Sequence, residues 1–309
     1  MMNANCRLLK ESISDQPSAI SPQRHRGRKR REPFPRLSRP EDIAMLRALL
    51  LTTTVAAALA AGVSAQSRDR GNRSDCDGGG SDREVYCEVR EDTLNGANPL
   101  DVDTGGNGGI AIRGWDRGEV HMRARIVAHA DSEAEAKQIV AGVRIDTAGG
   151  TIRADGPRTN RDANWSVNIE LQVPRNAILT LNTRNGGISV NDVRGQVTLH
   201  TVNGGVNLTN VNGSVHGDTK NGGVTIALSG DHWDGQGLDV ETHNGGINLA
   251  MPDQYSAALE TSTVNGRINI DFPIAVQGRI GRELNTTLGA GGAKIRAVTT
   301  NGGVNIRRR

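Results

Sequence analysis

The sequence predicts an all-β fold, a parallel β-solenoid (β-helix) with coils of about 18 residues and one short helix inserted in the N-terminal half. Three observations lead there. A Thr-x-Asn-Gly unit recurs six times between Thr183 and Gly302. Apolar residues within each unit alternate as they do on strands, with Gly or Asn at the corners. The composition suits short strands and turns: 39 Gly and 25 Asn in 309 residues, against three Trp, two Tyr and two Phe. Aromatics normally dominate core burial, so this core must close on aliphatic side chains. Gly without a three-residue period excludes collagen, and the patterned Val, Ile and Leu exclude wholesale disorder.

The chain opens on a basic leader. Residues 1–44 carry ten Lys/Arg and five Asp/Glu, whereas residues 66–309 carry 26 basic and 29 acidic side chains. The net charge of +3 therefore belongs to the leader, and the body offers no electrostatic case for nucleic acid. Met45-Leu46-Arg47, the uncharged Ala48–Ala61 stretch and Val63-Ser64-Ala65 read as a secretory signal peptide over 45–65, cleaved after Ala65. It is too short and too rich in Ala and Thr for a stable membrane span. Residues 1–44 then read as a non-native upstream extension, with the true start at Met45.

Residues 66–92, rich in Gly, Asp and Arg, read as a flexible linker. Cys76 and Cys87 are the two cysteines of the mature chain, and an even pair in an oxidising compartment predicts one disulfide.

Residues 93–180 form an irregular β part. Asn107-Gly108-Gly109-Ile110 is an imperfect copy of the later repeat, and Val120–Ile126 alternates as a strand. Asp131-Ser132 caps a short helix over about 131–140, with Glu133 and Glu135 placed where the helix dipole favours them. Trp165–Pro174 is the clearest alternating strand of this half.

The regular solenoid occupies 181–309. Its repeats start at Thr183-x-Asn185, Thr201-x-Asn203, Thr219-x-Asn221, Thr242-x-Asn244, Thr263-x-Asn265 and Thr299-x-Asn301, at spacings of 18, 18, 23, 21 and 36. The last spacing is twice 18 and predicts a degenerate coil from Gly281 to Val298. The excess of five and three residues predicts inserted loops. One coil buries too few aliphatic groups to offset the entropy of ordering it, so coils must stack. At the corner, Gly supplies positive φ and Asn tolerates it. Stacked Asn residues form an amide ladder and the Thr residues a hydroxyl row. The alternative for this stripe is a repeated face that binds polysaccharide or ice. Arg307, Arg308 and Arg309 are expected to guard the open edge of the last coil.

Two of these stretches carry a family resemblance. The strand ending Val173-Pro174, followed by Leu179-Thr180-Leu181 and Asn185-Gly186-Gly187-Ile188, resembles the bacterial DUF4097 family of adhesin-like proteins. Asn107-Gly108-Gly109-Ile110 through Trp115-Asp116 is similar to that family's first repeat. The resemblance covers roughly residues 90–309. It implies an exported bacterial β-solenoid with no established enzymatic activity, and it brings no functional residues.

A carbohydrate-active β-helix enzyme is the rival class. It needs carboxylates converging on one face, yet Asp192, Asp218, Asp239 and Glu241 fall at scattered repeat positions. No catalytic residue, metal site or cofactor is expected. The enlarged third coil carries Asp231-His232-Trp233-Asp234, a candidate contact loop. The reading is a periplasmic or cell-surface interaction or structural protein. Its partner would be an envelope or extracellular polysaccharide or protein.

Overall fold

The computed structural model of the chain describes residues 83–96, 98–271 and 281–309. The upstream extension, the signal peptide and Cys76 lie outside the described residues. The chain order is β1 (Glu84–Leu94), β2 (Leu100–Asp103), β3 (Ile110–Trp115), β4 (Val120–Ala130), helix α1 (Glu133–Gly142), β5 (Arg144–Asp146), β6 (Thr151–Asp155) and β7 (Asn164–Pro174). The repeats follow as β8 (Ile178–Thr183), β9 (Ile188–Asn191), β10 (Gln196–Asn203), β11 (Val206–Thr209), β12 (Ser214–Asn221), β13 (Val224–Ala227), β14 (Gly237–Asn244) and β15 (Ile247–Met251). The last elements are β16 (Ala257–Asn265), β17 (Ile268–Ile270), β18 (Glu283–Leu288), β19 (Lys294–Asn301) and β20 (Val304–Arg308).

These strands make two ten-stranded sheets. The first runs β1-β4-β7-β3-β9-β11-β13-β15-β20-β17, the second β18-β16-β19-β14-β12-β10-β8-β2-β6-β5. Each repeat gives one strand to each sheet, and repeats pair in parallel and in register. Thr183 pairs with Thr201, Thr201 with Thr219, and Thr219 with Thr242. Alternation sends one apolar row from each sheet into a shared core. Ile188, Val206, Val224, Ile247 and Val304 come from the first sheet, and Leu179, Val197, Val215, Leu238 and Ile295 from the second; all are at most 3% exposed.

The N-terminal half is continuous with this stack. β2 pairs with β8 and β3 with β9, so the imperfect repeat at Asn107 lies beside Asn185. Helix α1 buries Ala136, Ile139 and Val140 and packs on β1 and β4. The Ser132 hydroxyl accepts from the Glu135 N–H, as the sequence predicts. At the other end the helix has no basic residue in its last turn. Arg90 of β1 supplies the cation instead, donating to the Val140 and Val143 carbonyls at 3.2 and 2.7 Å.

Four expectations are corrected. Residues 84–92 are not linker: β1 pairs antiparallel with β4 over eleven residues, which gives that stretch backbone partners. The stack does not follow chain order at its end, since β19 lies between β14 and β16. The repeat that departs from the motif, Asn265-Gly266-Arg267, takes the outer position, as terminal repeats do. The degenerate coil over 281–298 is instead β18, which runs antiparallel along β16, and the return into β19. Arg307 and Arg308 guard no edge, because β20 lies between β15 and β17. Arg308 pairs with Asp253 at 3.1 Å, and Arg309 donates to the Leu228 carbonyl at 3.2 Å.

Candidate functional site

The repeated corner is built from three positions with three separate jobs. The Thr side chains point inward and are 0–5% exposed. Each donates to the carbonyl of the first corner Gly of the neighbouring repeat. Thr183 reaches Gly108, Thr201 reaches Gly186, Thr219 reaches Gly204, Thr242 reaches Gly222, Thr299 reaches Gly245 and Thr263 reaches Gly302, all at 2.7–2.9 Å. The hydroxyls thus bond carbonyls rather than one another, except that Thr104 donates to Thr183.

The Asn side chains point outward and form a one-directional amide ladder. Asn185 donates to Asn107, Asn203 to Asn185, Asn221 to Asn203, Asn244 to Asn221, Asn301 to Asn244 and Asn265 to Asn301, at 2.7–2.8 Å. The expected reason for Gly is corrected. Of the corner glycines only Gly108 has positive φ. A Cβ on Gly186, Gly204, Gly222, Gly245, Gly302 or Gly266 would lie 1.9–2.1 Å from the neighbouring glycine carbonyl oxygen. Close approach of stacked backbones demands the glycine.

The candidate contact loop does not display its aromatic. Trp233 is 3% exposed, and its indole N–H donates to the Gly213 carbonyl at 2.9 Å. Burial of so large an apolar surface with its one polar atom satisfied folds it onto the stack. Asp231, His232 and Asp234 remain exposed. His232 holds the Asp231 carboxyl below the usual range through a 2.7 Å contact. Beneath them Tyr255 is 3% exposed with no partner for its hydroxyl among the described residues. Burial, helped by the Asp231 charge, pushes that hydroxyl up to about 12. Cys87 is disulfide-bonded.

Three of the scattered carboxylates come together. Asp218 and Glu241 are paired neighbours on the outer face of the second sheet, with Asp239 two residues away on the same face. Each has a basic side chain beside it. His200 contacts Asp218 at 2.7 Å, while Arg296 reaches Asp239 at 2.6 Å, Glu260 at 3.4 Å and Glu241 at 3.9 Å. Lys294, first, and Arg296 hold the Glu260 carboxyl below its usual range. Asp192 stands apart, at a corner with φ 60°. Among the described residues no group of three or more His, Cys, Asp or Glu is placed to hold a metal ion.

The sequence reading missed a groove on the outer face of the first sheet. Gly109 and Ala111 of β3 and its approach are outward-facing but nearly without side chains. Beside Ala111 stand Glu170 on β7 and Ser189 on β9, and beside Arg113 stand Gln172 and Asn191. The result is two contiguous depressions of about 320 Å³ each, joined at Ala111 and Glu170. Arg125, Arg123 and His121 of β4 line one side, and Arg113 lies in line with Ala111. Beyond Arg113, half-buried Trp115 has its ring 6.5 Å from that of His121, with the Arg117 guanidinium 4.9 Å from the indole centroid. No sequence spacing announces this site, because β4, β7, β3 and β9 meet only in the fold.

No curated protein matches the chain. Several solved structures are similar. A candidate cell adhesion protein from Clostridium sporogenes is 13% identical, over 73% of this chain and 100% of that one, with a TM-score of 0.42. A candidate adhesin from Bacteroides fragilis is 10% identical, over 72% and 97%, with a TM-score of 0.29. A candidate lipid binding protein from Parabacteroides distasonis is 8% identical, over 71% and 96%, with a TM-score of 0.31. The family model described as Toastrack DUF4097 matches residues 168–307, from within β7 into β20, and over that stretch the chain is similar to the DUF4097 family.

Proposed function

We propose that the chain is an exported, non-enzymatic β-solenoid of about 18-residue coils, acting as an interaction or structural protein of the bacterial cell envelope. The observation that carries this reading is that the stack engages its own outward polar groups. The carboxylates gathered on the outer face of the second sheet each contact a basic side chain of that face, Asp218 with His200 and Asp239, Glu241 and Glu260 with Arg296. A glycosidase would need one of them unpaired and one with a raised pKa. The buried Thr column offers no outward hydroxyl row to ice or polymer. Export rests on the signal peptide over 45–65, with Met45 as the start. The disulfide at Cys87, with Cys76 as the proposed partner, fits an oxidising compartment. No helix among the described residues is long and apolar enough to cross a membrane.

Protease shaving of intact host cells, blotted beside a periplasmic control, tests the compartment. Loss from intact cells with the control spared places the protein at the surface, and survival until the outer membrane is broken places it in the periplasm. Recovery of the uncleaved chain from the cytoplasm would overturn export. Release of soluble oligosaccharide from a polysaccharide panel would overturn the non-enzymatic reading.

A further inference from the structure

We infer that the groove along β3 holds an acidic polysaccharide, with the Arg113 guanidinium as its main anchor. The inference rests on the envelope-interaction reading and names the ligand class for it. The lining has three guanidinium groups, Arg113, Arg123 and Arg125, against one carboxylate, Glu170. Glu170 contacts Arg123 at 3.5 Å, and Glu91 contacts the same arginine at 3.4 Å. Arg113 is exposed, and its side chain makes no hydrogen bond or ion pair among the described residues. It is therefore an unspent cation at the centre of a trough. A guanidinium is weakly hydrated and binds carboxylate or sulfate oxygens in a fork, so it suits an anionic partner.

The rest of the trough selects a glycan. Its walls are amides and a hydroxyl, Asn168, Gln172, Ser189, Asn191 and Asn207, groups that donate and accept as sugar hydroxyls do. The outward positions from Gly109 to Trp115 span roughly 20 Å at ~3.3 Å per residue, which fits a short run of sugars rather than a single ion. At the far end Trp115 and His121 offer ring surface. An acyl chain would need an apolar slot, but Ile110, Ile112, Ile169 and Leu171 are all turned into the core. A globular partner would want a broad apolar centre that this face lacks.

The test uses the mature chain, immobilised polygalacturonate and dextran sulfate as carboxylate and sulfate probes, neutral dextran, and single-stranded DNA. Arg113→Glu removes the anchor and Ala111→Phe fills the trough. Lys220→Glu makes the same charge change on the other sheet. Melting curves confirm that all three fold. Wild type should hold at least one acidic glycan and release it as salt rises. Arg113→Glu and Ala111→Phe should each weaken retention roughly tenfold or more, and Lys220→Glu should not. The carboxylate and sulfate arms then tell which acidic glycan is preferred. Three results would overturn the inference: no retention of either acidic glycan, equal retention by Arg113→Glu, or DNA held as well as glycan with Lys220→Glu equally damaging. None of these bears on the shaving assay, which decides the envelope reading by itself.

Discussion

Two columns of side chains climb the same corner of the stack, two residues apart, and only one of them is inside. The Thr column is 0–5% exposed and bonds the backbone of the neighbouring repeat. The Asn column is exposed and bonds only its own kind. Both recur with equal regularity in the sequence, so regularity alone does not rank them. Burial does. A buried carbonyl that loses its donor pays the full desolvation cost, whereas an exposed amide turns to water. The glycine between the columns answers to a third constraint, the room left by the neighbouring backbone.

That third constraint carries the largest expected effect. A Cβ on Gly204 would lie 2.0 Å from the Gly186 carbonyl oxygen, whereas a Cβ on Gly205 would meet the Gly223 oxygen at 3.2 Å. Gly204→Ala should cost roughly 3 kcal/mol or more, because backbone packed on both sides cannot yield. Gly205→Ala should cost about 1 kcal/mol or less, since the contact is tight but open to small shifts. Arg267 occupies the Gly205 position in the outermost repeat, where among the described residues no further repeat brings a carbonyl against its Cβ. Denaturant unfolding of both variants checks the pair. Equal losses would mean that the corner needs glycine for backbone freedom, not for close approach.

The comparison also marks what the sequence can show. The Thr-x-Asn-Gly starts are the register: residues aligned by the motif are Cα partners, even across the five-residue insertion between Thr219 and Thr242. Stack order is not in that pattern. Nothing in the motif says that Thr299 sits between Thr242 and Thr263, since any two good repeats pair equally well. The charged face was hidden by the direction of counting. Forward from each Thr, Asp218 and Glu241 differ by the length of the insertion; backward from the next Thr, both are one residue before it. The groove is less legible still. It arises from the small size of Gly109 and Ala111 beside strands as distant in sequence as β4 and β9, a relation only the fold creates.

Within the two columns the expected ranking is Thr above Asn. Thr201→Val keeps the β-branched shape and strips the buried Thr201 donor from the half-buried Gly186 carbonyl, so it should cost about 1–3 kcal/mol. Asn203→Ala removes two amide bonds, to Asn185 and from Asn221, but leaves their partners in water. It should cost about 0.5–1.5 kcal/mol. Asn265→Ala, at the end of the ladder, gives up its one bond and should cost less than Asn203→Ala. Unfolding midpoints of the three variants rank them. An Asn203→Ala loss exceeding that of Thr201→Val would show that the ladder acts cooperatively, and burial would no longer decide between the columns.

The smallest effect belongs to the outer charges, and pH separates it from the columns. Lys294 and Arg296 hold the Glu260 carboxyl below its ordinary value. A carboxyl depressed in the folded state contributes stability above its unfolded pKa and loses that contribution as pH falls through its folded pKa. At neutral pH Glu260→Gln should therefore be slightly less stable than wild type, by about 0–1 kcal/mol, since Lys294 is well exposed. As pH falls through the folded pKa the gap should close, because wild-type Glu260 is then increasingly protonated and no longer answers Lys294 as a charge. The Thr201→Val deficit contains no titrating group and should persist across the same range. Urea midpoints of both variants against wild type, at neutral and at acid pH, read the contrast directly. A Glu260→Gln gap unchanged by acid would assign the loss to packing of the side chain along β16. A Thr201→Val gap that shrank with it would mean that acid loosens the whole corner, and the inner column would owe part of its strength to the charges outside.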